Sequence, residues 1–190
     1  MAEWQTRTVQ VRVSERTWGF NSPLAHQILL LDALRTVRHM LVTNHVLSGA
    51  VVGLYVRRPV VSFLLGTASH FALDSVPHYG LDEPDHDRFM RIAVRDGITG
   101  LAALWAIAAT TRGQTRVAAL AGAAGAALPD LDKPFRELTG RELWPAVVND
   151  FHGRIQSEAE SRLPREFAVA AAAAATLVVL LRKRGRSAAV

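Results

Sequence analysis

The chain contains no cysteine, so disulfides, thiolate metal sites and cysteine nucleophiles are all excluded. Aromatic residues are only 7% of its 190 residues, and no G-x-S-x-G nucleophile elbow occurs. In the first forty residues, basic, apolar and small-residue regions do not follow one another in signal-peptide order. Nor is there a long uninterrupted apolar run of the ~20 residues that a full bilayer span wants. What the chain does have is 49% hydrophobic residues beside 21% charged ones, with a mean hydropathy of +0.14. That mixture implies apolar segments separated by charged loops. Net charge is +5 and the isoelectric point about 10.6.

Composition breaks near Met40. Val9, Val11 and Val13 alternate with Gln10 and Arg12 in a short strand-like pattern, and Asn21-Ser22-Pro23 opens an expected helix over Leu24–Met40. Two readings of residues 1–39 stay open, an N-terminal extension or a natural start at Met40. Residues 40–182 form a helical domain and 183–190 a basic tail. The apolar segments are Leu41–Val56, Val60–Val76, Ile98–Thr110, Val117–Leu128 and Phe167–Leu181. Gly49-x-x-x-Gly53 and Gly122-x-x-Gly125 permit close helix approach, as membrane packing prefers. The expected fold is therefore all-α, a multi-spanning membrane bundle of about five short helices with a polar cluster at one face. An Ala-rich soluble bundle is the competing reading; Leu177–Leu181 running straight into Arg182-Lys183-Arg184 argues for the membrane.

Charge then sets the orientation. Arg57-Arg58 joins the first two segments, Arg112 and Arg116 join the third and fourth, and the basic tail follows the fifth. If the segments alternate in direction, all three lie on one side, the cytoplasmic side by the positive-inside rule. Basic residues gathered at segment ends, without a stripe of interleaved aromatics, argue against nucleic acid as a partner and for membrane lipid.

His70, Asp74 and His78 stand at i, i+4 and i+8, within an arc of about 80° on a helix. Two imidazoles and a carboxylate on one face suit a divalent transition metal, zinc foremost. The same alternation brings other ligand-type residues to that side: His45, Asp96, Asp130 and Asp132, with His152 in the loop that follows. Each has a plainer role available. Asp130 and Asp132 lie in Leu-Pro-Asp-Leu-Asp turn chemistry, Asp96 favourably meets a helix dipole, and His45 follows a Thr-Asn pair suited to capping. The acidic run Asp82, Glu83, Asp85 and Asp87 reads as a solvated loop.

Three motifs together carry a resemblance: Thr43-Asn44-His45-x-x-x-Gly49, the run Ser69-His70-Phe71-Ala72-Leu73-Asp74-Ser75-Val76-Pro77-His78, and Ala127-Leu128-Pro129-Asp130-Leu131-Asp132. Over about Met40 to Gln156 the chain resembles the bacterial membrane-bound metal-dependent hydrolase family. That resemblance implies a small multi-helix protein of the inner membrane. The His70-x-x-x-Asp74 step is also distantly similar to the zinc-binding helix of zinc-dependent phospholipase C enzymes. There the next His lies further along, so adjacent Pro77-His78 departs from the pattern, and neither Trp4 nor Trp18 matches their N-terminal Trp ligand. The resulting expectation is a hydrolase acting on a phosphoester or lipid-like substrate at the membrane surface. His70, Asp74, His78 and Asp130, with His45 and His152, would hold one or two divalent ions, and Asp96 or Asp132 would act as general base. The alternative is a non-catalytic membrane protein whose cluster binds a structural metal or lines an ion path.

Overall fold

Helix α1 (Val42–Val56) ends at Arg57, whose left-handed backbone (φ 62°) returns its N–H to the Gly53 carbonyl. Extended Arg58 and then Pro59 at the first helical position open α2 (Pro59–Asp74), so the two helices reverse through the shortest of connections. Proline presets the φ that a first turn needs and has no N–H to leave unpaired. α2 stops short of Pro77, which cannot continue it.

The computed structural model describes residues 41–81 and 85–187, whose helices belong to one compact unit. The strand-like and helical expectations within residues 1–40, and Asp82 and Glu83, lie outside them. α3 (His86–Thr110) is capped by the Asp85 side chain, which accepts from the Arg88 N–H. α4 (Gly113–Ala127) runs into a 3-10 turn over Leu128–Leu131 and then the short α5 (Asp132–Thr139), closed by left-handed Gly140. α6 (Ala146–Ile155), a 3-10 turn at Glu160–Arg162 and α7 (Leu163–Ser187) complete the order. Among the described residues the only sheet-like pairing is one parallel bridge, His78 to Glu158.

α1 is central, packed on α2, α3, α4 and α7. The core joins Val46, Ala50 and Leu54 of α1 to Ile107, Ala119, Ala123 and Leu177. Its helices approach backbone to backbone. A Cβ on Gly49 would stand 2.3 Å from the Gly122 carbonyl oxygen, one on Gly66 2.1 Å from the same atom, and one on Gly122 2.2 Å from the Gly49 oxygen. Three helices therefore cross at Gly122, and the two glycine motifs sit at that crossing.

The all-helical expectation agrees with this architecture. Two helices are long and apolar enough to cross a membrane, His86–Thr110 and Glu160–Lys183, and only 11% of each apolar window is buried. The helices α1, α2 and α4, at 15, 16 and 15 residues, are shorter than a full span. α3 and α7 also start upstream of the apolar segments that mark them, at His86 and Leu163, because polar first turns extend each helix.

Candidate metal centre

α1 enters, α2 leaves and α4 leaves at the same end of the bundle, so His45, His70, Asp74 and Asp130 meet there; α6 adds His152. His70, Asp74, Asp130 and His152 are all buried and offer ligand atoms within 4.8 Å of one another. They could hold a metal ion.

Asp74 is the hub. His152 Nε2 lies 2.6 Å and His70 Nε2 3.2 Å from its Oδ2, while His45 Nε2 lies 3.2 Å from its Oδ1. Asp130 stands behind the same nitrogens, 3.9 Å from His70, 3.8 Å from His152 and 4.0 Å from His45. The His45 and His70 rings lie against each other at a 4.1 Å centroid separation. Phe71 meets the edges of both His70 and His152 and also packs on Phe151, making an apolar wall.

The hydrogen bonds of this arrangement are incomplete on the His45 side. His70 Nδ1 is 2.8 Å from the Ala126 carbonyl, which only accepts, so Nδ1 carries the hydrogen. In the neutral ring that leaves a lone pair on Nε2, aimed at the Asp74 carboxylate and, at 3.0 Å, at His152 Nε2. His45 Nδ1 is buried without a hydrogen-bond partner, and His45 Nε2 faces Asp74 Oδ1 at 3.2 Å without closing a well-aligned bond. An orphan of this kind costs about 1–3 kcal/mol. A cation among these groups would turn facing lone pairs into ligands. Donors about 2.0–2.2 Å from a tetrahedral ion stand roughly 3.3–3.6 Å apart, and the contacts here, 2.6 to 4.0 Å, bracket that spacing. The Nδ1–H to carbonyl bond is the kind of support that orients a metal-ligating imidazole.

The other residues named from the sequence lie elsewhere. His78 falls past the end of α2, in the bridge to Glu158: its N–H donates to the Ser157 carbonyl, its Nδ1 to Val76 and its Nε2 to Glu158 at 3.2 Å. Burial pushes its pKa down, but the Glu158 hydrogen bond, the Val76 carbonyl and the Glu158 and Asp74 charges outweigh burial, so it lies above 6.5. Asp96 projects from α3 onto the first turn of α1, accepting from the Val42 N–H (2.5 Å), the Thr43 N–H (3.3 Å) and the Thr43 hydroxyl (2.6 Å). Asp132 accepts from the Leu143 and Trp144 N–H groups and fixes the loop between α5 and α6. Thr43 and Asn44 lie inside α1, not at its cap; that position is Leu41, with no side-chain cap of its own.

Four polar partners went unforeseen. Gln156 donates to Asp74 Oδ2 at 3.0 Å. Lys133 is ion-paired with Asp130 across one helical turn. Glu158 holds His78. Glu166, 1% exposed, accepts from the Leu41 N–H, the Asn44 amide and the Tyr79 N–H. A glutamate three residues into an apolar helix, just after Pro164, was the available signal for the last.

No protein-family model matches the chain, and no curated protein or solved structure does.

Proposed function

We propose that the protein is a metal-dependent hydrolase of the bacterial inner membrane, acting at the membrane surface on a phosphoester or lipid-like substrate. The observation that carries this reading is the buried meeting of imidazole nitrogens and carboxylate oxygens from His70, Asp74, Asp130 and His152, whose ligand atoms lie within 4.8 Å of one another. His70, Asp74, Asp130 and His152 hold the ion, zinc foremost, with His45 beside them. When bound, a divalent ion supplies Lewis acidity toward phosphoryl oxygens and lowers the pKa of water toward neutrality. His45, whose Nε2 faces Asp74 and whose Nδ1 has no hydrogen-bond partner, is the group placed to take a proton. Phe71 and Phe151 keep bulk water from the ligands. Asp96 and Asp132 are engaged in holding backbone N–H groups, which leaves proton transfer to the cluster itself.

Membrane placement is supported by the apolar residues that face outward from the long helices. Ile98, Leu101, Trp105 and Phe167 are each more than 60% exposed, far more greasy surface than water-facing helices tolerate. The basic Arg57-Arg58 turn, Arg112 and Arg116 lie at the helix ends opposite those that carry the cluster, which supports, by the positive-inside rule, a site on the non-cytoplasmic face.

The near-complete burial of the ligands favours a second reading, a structural metal or an ion path without catalysis. Elemental analysis of the detergent-purified chain, before and after chelation, together with the double variant His70→Ala/Asp74→Ala, tests the metal. We expect stoichiometric metal that the double variant loses. Unchanged metal content would overturn the reading. Bound metal without hydrolysis across soluble and lipid phosphoesters would select the non-catalytic alternative.

A further inference from the structure

We propose that Lys133 is an anion receptor that becomes available only when the metal is bound, and that it takes a phosphoryl oxygen of the substrate. This rests on the metal-dependent reading above and assigns it a substrate charge. Lys133 sits in the first turn of α5, three residues after Asp130, and its Nζ pairs with Asp130 Oδ1, the oxygen that also faces His70 and His152. It is thus one carboxylate oxygen away from the ligand set. Its side chain is 19% exposed, against 8% for His152, 9% for Asp130 and 1% for Asp74. Lys133 therefore stands on the open side of the cluster, where a substrate must arrive.

Charge arithmetic decides what arrives. With the imidazoles in the neutral form that metal ligation requires, Asp74 and Asp130 against one ammonium make the protein's own share of the site one unit negative. A divalent ion turns the same site one unit positive. An anion is repelled before metal binds and attracted after it. The ammonium also changes partners. Without an ion it is the cation that neutralises Asp130. With one, Asp130 directs its electron pairs to the metal, and the Lys133 donors turn toward the next available acceptor. The phosphoester class fits because its oxygens carry the negative charge and the accepting lone pairs that such a site lacks. A neutral ester offers no charge to complement it.

The test uses the full chain in detergent, loaded with metal and desalted, and titrates inorganic phosphate by calorimetry into the wild type, Lys133→Gln and Lys133→Arg. Bound metal is measured on every sample. We expect the metal-free protein to bind no phosphate. Loaded Lys133→Gln should bind it about tenfold or more weakly than the loaded wild type, the scale of one charge-assisted hydrogen bond, at unchanged metal content. Lys133→Arg should restore most of the affinity. Equal phosphate binding by Lys133→Gln, or loss of its metal, would show that Lys133 merely braces Asp130 and would overturn the inference. Loaded wild type that ignores phosphate would overturn it too, leaving the metal site intact. A chain that takes up no metal at all would instead refute the reading on which the inference depends.

Discussion

Replacing Gly122 with alanine should dismantle the metal centre from two helical turns away. The new Cβ would stand 2.2 Å from the Gly49 carbonyl oxygen, where ordinary contact begins at 3.4 Å, and the clash is with backbone, which cannot rotate aside. α1 and α4 must then separate by about 1 Å. Alanine returns roughly 0.5–1 kcal/mol of helix propensity, while overpacking of a tight crossing costs about 1–3 kcal/mol and more when backbone must shift. The net expectation is a loss of about 1–3 kcal/mol and a fall in unfolding midpoint of roughly 3–10 °C for a chain of this size. The site suffers beyond its share of stability. His45 lies one turn before Gly49, His70 one turn after Gly66 and Asp130 two turns after Gly122, so the crossing sets the His45–Asp130 and His45–Asp74 separations of 4.0 and 3.2 Å. Thermal unfolding and metal content are read together, with Gly97→Ala as control. Nothing lies within 4 Å of a Cβ at Gly97, so that variant should be neutral or slightly stabilised. A Gly122→Ala protein with wild-type midpoint and metal content would refute the reasoning.

The His78–Glu158 pair should make stability fall with rising pH. His78 binds its proton more tightly in the folded state, so its contribution is fully present below pH 6.5 and is lost as pH rises through the higher folded value. The difference in unfolding midpoint between wild type and Glu158→Gln should therefore shrink toward alkaline pH, and a constant gap would count against the pair. Asp96→Ala should cost about 1–2 kcal/mol, as removing a helix cap does, while the chain keeps its metal because the carboxylate serves α1. Metal loss at unchanged stability would return Asp96 to the site.

Much of the arrangement around Asp74 was legible because it follows from direction of travel. Once the apolar segments are taken to alternate, the ends that carry His45, His70, Asp74 and Asp130 must lie together. The glycine motifs were legible for a similar reason, since small residues at helical spacing have few other uses in an apolar segment. The partners of these residues were not legible. Gln156 meets Asp74 across 82 positions and Glu166 meets Asn44 across 122, and no local pattern encodes a pairing that only the last third of the chain completes. His78 shows the limit of periodicity. Its place at i+8 assumes that the helix continues, but α2 ends at Asp74 and the bridge to Glu158 takes His78 elsewhere. α5 and α6 were missed because neither is apolar enough to stand out, although they bring Lys133 and His152 to the cluster.

Helix α1 begins at Leu41 without a cap of its own, and its first N–H groups are satisfied from afar, by Asp96 of α3 and Glu166 of α7. On the ribosome Glu166 is added 122 positions after Asn44. Until then Leu41 and the Asn44 amide lack their acceptor, and His152 has only just been added to the ligand set. A polypeptide cut short before α7 would keep every candidate ligand but lose the acceptor of the Leu41 N–H and the Asn44 amide, leaving the start of α1 held by Asp96 alone.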